Sequence, residues 1–518
     1  MQTEKMSSTR IDMSNSSVNQ DILTAAKGSG ILFLGRIFEE TCQVIFVIML
    51  ARALGTTGYG LYNLGLGVES ILAVIALMGL SEGMVRFIPF ELINQNYAKI
   101  KRILAVGFTV SLSLGIGLGL ILFSLAQVLA VRIFHEEAII PILQLISITI
   151  PLEAFGQLLL GVVLGLKRMD YQVYSYSIIY SFVRLGLTVL FLSMGWNVMG
   201  AIIAYSIAWA VTIAVLFYFI SRIISLRKLG KFSREDVSAL AFFSVPLCLT
   251  DLTTQLRNYI NLMLIGAMGT ITSVGIYSVA MRVQMAGTLL MGPIVKAAKP
   301  IISDLSQQNE VERLKQVYQT MTRWSLTIIL PLAITIILFA RSILSIFGKD
   351  FTQGDHILIL IGFGLLLSAA TWVSQSMISM MGYSKITFFI NVGSLVLTIL
   401  FNTILIPKWD ILGAAMASII VILIVGIVSV VQVYALVGLL PYNLTFVKPL
   451  LAGTVTFLGI LLLGNFLPAE GNFLYFLVNV TLLWIIYSLV LLLLGLPEQE
   501  RTMLSRAIRK LDSIRRSF

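Results

Sequence analysis

The chain has 518 residues, 58% of them hydrophobic and only 12% charged, with a formal net charge of +11 and a mean hydropathy of +0.95, against roughly 45–50% apolar and about 25% charged in a soluble domain. That composition excludes a water-soluble globule, and no connecting segment reaches the ~50 residues of an independent domain, which leaves an all-α integral membrane protein. Two cysteines (Cys42, Cys248) and two histidines (His135, His356) are too few and too scattered for a disulfide framework, a zinc site or a haem site, so neither metal nor cofactor is expected.

In chain order, residues 1–28 are polar and rich in Ser, Thr and Asn, lack the apolar core of a signal peptide, and read as a loose cytoplasmic tail. Fourteen apolar runs follow, near 29–52, 60–80, 104–131, 139–164, 171–194, 199–221, 239–265, 273–295, 324–347, 356–381, 386–406, 411–436, 447–467 and 473–495. Each is long enough to cross the ~30 Å hydrocarbon layer as a helix. The first run carries Arg36, Glu39, Glu40 and Gln43 at i, i+3, i+4 and i+7, one face of a helix. Glu69, Glu153 and Arg184 place single charges in the second, fourth and fifth runs. Glu82 and Arg86 fall near the inner interface, where arginine can snorkel, and read as structural. Gly115/Gly119 and Gly161/Gly165 have the four-residue spacing that permits close helix approach. After a linker at 225–238, the seventh run repeats the polar stripe with Asp251, Thr254, Asn258 and Asn261, with Arg257 at its edge, and Arg282 lies in the eighth. The tail 496–518 is basic. Within it 501–518 patterns as an amphipathic helix with Leu504, Ile508, Leu511 and Ile514 on one stripe, suited to an anionic inner leaflet.

Orientation follows from Lys and Arg, which accumulate in short cytoplasmic loops. With both termini inside, cytoplasmic segments hold 27 of them, external loops 5 and the spans 4. The positive charge is therefore topogenic, and no nucleic-acid partner is expected.

Three islands recur along the chain. Gly55, Gly60 and Tyr62 match Gly269, Gly275 and Tyr277 at an offset of 214 to 215; Glu91, Leu92 and Asn96 match Asp304, Leu305 and Asn309 at 213; Trp196, Gly200 and Ala201 match Trp409, Gly413 and Ala414, also at 213. The basic loops after the first two islands share a side, so the copies are parallel and each holds an even number of spans. This predicts a six-helix lobe at 29–224, a second at 239–437, and two appended helices within 438–495. Parallel repeats of this kind form transporters that hold substrate between their halves.

The runs 50–62 (LeuAlaArgAlaLeuGly…TyrGlyLeuTyr), 79–87 (GlyLeuSerGluGlyMetValArgPhe), 96–102 (AsnTyrAlaLysIleLysArg) and 164–168 (LeuGlyLeuLysArg) resemble the polysaccharide biosynthesis, Wzx-like oligosaccharide flippases. These belong to the superfamily that also holds the lipid II flippase and the multidrug and toxin extrusion antiporters. The resemblance implies a monomeric, non-enzymatic carrier in the cell membrane. Its partners would be a lipid-linked oligosaccharide, the surrounding lipids, and a coupling ion (proton or sodium) or the membrane potential. Family members often carry an acid in the seventh span where this chain has Asn261.

A central charge costs roughly 2.5–3.5 kcal/mol on insertion scales, so intramembrane charges mark sites. The candidate cavity residues are Arg36, Glu39, Glu40, Gln43, Glu69, Glu153, Arg184, Asp251, Arg257, Asn258, Asn261 and Arg282. Arginine matches phosphate oxygens with its planar fork, which favours a polyprenyl-(pyro)phosphate head group. Four arginines against five acids keep a cation-coupled antiporter as the second reading. The bland alternative for Arg36 is self-neutralisation by Glu39 or Glu40; for Glu69 and Glu153 it is pairing with an arginine.

Overall fold

The computed structural model describes the backbone of residues 2–225, 233–464 and 473–495, and the side chains of 30–225, 233, 235–462 and 476–495. Among these residues all regular structure is helical. The chain divides into two compact units, Met1–Ala267 and Met268–Phe518.

The first unit contains α1 (Gln2–Leu77), α2 (Leu80–Ile93), α3 (Tyr97–Val128), α4 (Ile140–Gly165), α5 (Met169–Gln172), a π-helical stretch Val173–Tyr180, α6 (Ser181–Ser193), α7 (Asn197–Ile223) and α8 (Arg234–Met268). Its core joins Met84, Ile88, Leu104, Leu158, Val162 and Trp209. Residues 2–28 continue α1 as helix rather than forming a loose tail. No glycine or proline interrupts residues 1–27, so nothing local stops a helix already propagating through the first span.

The second unit contains α9 (Ile271–Gln307), α10 (Val311–Leu338), α11 (Ala340–Ser345), α12 (Asp355–Met380), α13 (Ser384–Val437), α14 (Val447–Gly464) and α15 (Phe473–Leu493). Ile302, Tyr318, Val373, Met377 and Val433 form its core, where the Tyr318 and Ser374 hydroxyls share a 2.6 Å hydrogen bond. The basic tail lies outside the described residues.

Among the described residues twelve helical stretches are long and apolar enough to cross a membrane, against the fourteen expected. The difference lies in two of them. Gly30–Ile93 has 64 residues and Ser384–Val437 has 54, and each contains a non-helical residue, Gly55 (φ 66°, ψ −175°) and Asp410 (φ 48°, ψ −129°). A straight helix of the shorter length would extend roughly 80 Å against a core of ~30 Å. Both stretches thus have length for two crossings, and each break falls where the hydropathy pattern has a loop.

The internal repeat is written in the backbone. Left-handed residues recur as Gln95 and Asn309, His135 and Gly348, Lys167 and Gly382, Asn197 and Asp410, all at offsets of 213 to 215. A left-handed residue ends a helix by turning the chain so that a following N–H reaches back five residues. Asn96 N–H donates to the Glu91 carbonyl and Glu310 N–H to that of Leu305. The matching bonds align Glu91 with Leu305, one position away from the side-chain match.

Glycines set the packing within the first unit. A Cβ on Gly115 would lie 2.8 Å from Pro151 Cα, and one on Gly161 would lie 2.6 Å from the Ser81 carbonyl oxygen. Helices at such spacing gain dispersion contacts in a solvent that offers no hydrophobic drive. α1 and α2 are separated by Met78 and Gly79, both left-handed (φ 54° and 70°). α8 packs into that break, bringing Cys248 N within 3.0 Å of where a Gly79 Cβ would sit. Arg102 of α3 and Asp236 of α8 pair at 2.7 Å, and the Arg86 guanidinium lies 4.2 Å from the centroid of the Phe243 ring.

Candidate functional site

Arg184 on α6 is the centre of the polar interior of the first unit. Its Nη2 donates to the Tyr62 hydroxyl at 2.8 Å and its Nη1 to Gln43 Oε1 at 3.2 Å. The guanidinium carbon lies 4.0 Å from the Phe46 ring centroid, 5.3 Å from that of Tyr205 and 5.8 Å from that of Tyr180. Desolvated arginine over aromatic faces is stabilised by up to about 2 kcal/mol per contact. No carboxylate pairs with Arg184 among the described residues, and its buried Nε has no hydrogen-bond partner there. The preceding π stretch turns the helix off the 3.6-residue period, re-aiming the residues that follow it.

One helix away lies a pair of acids. Glu69 is fully enclosed (0% exposed). Its Oε1 contacts the Thr149 hydroxyl at 3.2 Å and its Oε2 the Tyr205 hydroxyl at 3.3 Å. The same Tyr205 hydroxyl makes a short hydrogen bond with Glu153. Glu153 also lines a cavity of about 280 Å³, together with Glu82, Asp251, Gln157, Thr254 and Gln255. Its lining contains three acids and no basic residue.

The remaining candidates distribute as follows. Glu39 accepts from the Ser177 hydroxyl at 3.3 Å. Arg36 and Glu40 form a loose, exposed pair at 3.7 Å, the self-neutralising arrangement. Arg257 and Asn258 are exposed on α8, and Asn261 is half-buried there. Arg282 belongs to the second unit, where its Nη1 lies 3.9 Å from Met285 Sδ. Glu69 and Glu153 meet tyrosine rather than an arginine. The polar stripe of the first span is therefore largely spent on the π stretch and α6 of its own unit. Tyr62, Tyr205, Phe46, Tyr180 and Thr149 were not legible as site residues, because aromatic and hydroxyl residues in apolar runs carry no periodic signal separating site from core.

The second unit holds a larger cavity, about 420 Å³, between the two halves of α13. Its lining is apolar apart from Ser394 and Gln432.

Comparison with known proteins agrees with this architecture. The chain is 25% identical over 399 residues to the probable low-salt glycan biosynthesis flippase Agl15 of Haloferax volcanii, covering 76% of this chain and 80% of that protein. It is 24% identical over 372 residues to a putative O-antigen transporter of Shigella flexneri, covering 71% and 88%. Among solved structures, the lipid II flippase MurJ in an inward closed conformation superposes with a TM-score of 0.68 at 15% identity, over 89% of this chain and 97% of that one. An inward-facing MATE-family multidrug transporter superposes at 0.65 and 17% identity, over 76% and 94%. Both show the fold. The MatE family model matches residues 246–404. The model of the polysaccharide biosynthesis protein family matches residues 25–306, more than half of the 518 residues, and the chain belongs to that family.

Proposed function

We propose that this protein carries a polyprenyl-(pyro)phosphate-linked oligosaccharide from the inner to the outer leaflet, by alternating access of two six-helix lobes within a fourteen-span monomer whose termini are both cytoplasmic. It acts as a carrier, and no catalytic step is assigned to it. The observation that carries the reading is Arg184, a cation inside the membrane with no acidic partner among the described residues, held by aromatic rings with one N–H unclaimed. A phosphate oxygen is the ligand that this arrangement lacks. The names of the relatives, a glycan biosynthesis flippase and an O-antigen transporter, support the same cargo class. The driving force is an ion gradient or the membrane potential.

The test is reconstitution. Proteoliposomes containing the protein and a fluorescent polyprenyl-pyrophosphate oligosaccharide are expected to expose the label to an impermeant quencher faster than protein-free vesicles. Transport of organic cations with no glycolipid movement would overturn this reading in favour of the antiporter. The acid-lined cavity around Glu82, Glu153 and Asp251 favours that second reading, as does the match of the MatE family model to residues 246–404.

Topology is tested separately. A cysteine placed at Lys349 is expected to react with an impermeant thiol reagent in intact cells, and one at Lys231 to react only after lysis. Labelling of the Lys231 position from outside would overturn the assigned orientation.

A further inference from the structure

The two repeats differ where the first is wound as π-helix. The left-handed residues Lys167 and Asn197 lie 30 positions apart, and their counterparts Gly382 and Asp410 lie 28 apart. The two extra residues coincide with the eight-residue π stretch Val173–Tyr180, whereas the matching part of α13 is α-helical. In the same way Gln95 and His135 are 40 apart against 39 for Asn309 and Gly348, and that interval holds the π stretch Leu129–Ile133. A π turn closes i→i+5 and holds about one residue more than an α turn, so nearly two such turns absorb two residues. Wound as α-helix, the same insertion would swing the face that follows by about 200°.

What the insertion supplies is bulk. The rings of Tyr176 and Tyr180 stack at 5.0 Å and lie 5.6 and 5.1 Å from that of Trp209 on α7. Beyond the stretch the repeat offset is 213, which sets Tyr180 against Gly393 and Arg184 against Leu397. Gly393 and Leu397 both line the cavity of about 420 Å³ in the second unit, and a Cβ on Gly393 would meet nothing within 4 Å. The place taken by rings and a guanidinium in one repeat is thus an apolar recess in the other.

The recess has the form of a lipid chain site. Its lining runs from Ile386 to Leu397 along α13, roughly 16 Å of helix and about half of the ~30 Å hydrocarbon layer. It is open at the surface of the unit, where Phe389 is 70% exposed. The Ser394 hydroxyl is engaged by the Asn391 carbonyl at 2.7 Å, so the walls hold little for water and suit hydrocarbon. Polar groups gather at one end. Ile386 lies 24 residues before the break at Asp410 and Gln432 22 after it, so the two share that end. Lys385 precedes Ile386 and shares a helix face with Phe389 four residues on. It has no acidic partner among the described residues, and in the assigned orientation its end is cytoplasmic.

We propose that the recess holds the isoprenoid chain of a polyprenyl-phosphate lipid in the inner leaflet, with Lys385 at its mouth serving the phosphate. The proposal deepens the assigned function and rests on the cargo class read there. An ordinary acyl chain of the bilayer needs no recess, since exposed Phe388, Val396, Ile427 and Val431 already offer it a surface. A methyl-branched chain is broader, and it gains close contacts where the wall gives way, as it does at Gly393.

The experiment uses the full-length protein in nanodiscs of phosphatidylethanolamine and phosphatidylglycerol, photolabelled with a diazirine analogue of geranylgeranyl phosphate, with adducts mapped by mass spectrometry. Adducts are expected within 386–397 and 424–432, displaced by excess geranylgeranyl phosphate but not by the same excess of phosphatidylglycerol. Gly393→Phe fills the recess and should lower labelling there about tenfold at an unchanged melting temperature, through loss of close contacts along the chain. Lys385→Gln should lower labelling to that of a diazirine geranylgeraniol, which lacks the phosphate; equal labelling of wild type by the two probes overturns the role of Lys385. Adducts confined elsewhere, α14 and α15 included, overturn the proposal, as does equal displacement by phosphatidylglycerol. The wild-type map decides this without any variant, so a Gly393→Phe chain that fails to fold does not remove the test. If the recess is labelled but reconstituted vesicles move no glycolipid, the cargo reading falls and the chain site stands. Glycolipid movement with no adduct in the recess overturns the chain site alone.

Discussion

Glycan export is expected to fall roughly tenfold when Arg184 is replaced by lysine, and by a further order of magnitude or more with glutamine, at unchanged protein abundance in the membrane. A tenfold loss corresponds to about 1.4 kcal/mol, a reasonable cost for replacing a planar fork by a point charge. A lysine ammonium presents its three N–H groups from one point and lacks the planar fork that bonds Tyr62 and Gln43 while leaving an N–H for a phosphate, and it stacks less well on Phe46. The measurement is surface glycan in cells depleted of the native protein, with abundance followed by immunoblot. Wild-type export by Arg184→Gln would remove Arg184 from the cargo site. The contrast is Arg36. Its exposed pairing with Glu40 at 3.7 Å predicts that Arg36→Gln/Glu40→Gln retains most export, since a loose exposed pair contributes little and no lone charge is left behind.

The second large effect is structural. Gly79→Val is expected to destabilise the first unit by about 3 kcal/mol or more, because a β-branched residue is forced into the left-handed region and its Cβ meets backbone rather than a yielding side chain. Cys248 N and Ser244 C lie 3.0 and 3.1 Å from that Cβ position, so α8 must lift from the break between α1 and α2. The expected outcome is a clear drop in the apparent melting temperature of the detergent-solubilised protein by fluorescence-detected size exclusion. Gly117→Val is the control, since a Cβ there meets nothing within 4 Å. Equal melting temperatures for the two variants would show that the seating of α8 against Gly79 does not support the fold.

Part of this architecture could be read from the chain alone because the bilayer constrains it. Every backbone polar group in hydrocarbon must be satisfied locally, so a long apolar run is a helix whatever surrounds it. The repeat islands marked real backbone features, since Asn197 and Asp410, 213 residues apart, both take a positive φ (45° and 48°). The form of two of the breaks was less legible. Hydropathy marks where polarity rises, whereas Gly55 and Asp410 turn the chain at a single residue within continuous helix.

Composition and periodicity by themselves determined the class, the membrane-spanning helices, the internal duplication and a short roster of intramembrane charges. Only the tertiary structure decided which charges meet. Arg36 pairs with Glu40 along its own helix, one of the two partners that the spacing offered, yet Glu39 turns to Ser177 and Gln43 to Arg184 on other helices. Helical spacing specifies a direction around an axis, but not the neighbour found there. Glu69 and Glu153 are 84 positions apart and meet through Tyr205, a residue no local pattern singles out. Such a meeting depends on how α1, α4 and α7 pack, and that is set by side-chain volumes and glycine contacts along whole helices rather than by any short stretch of chain.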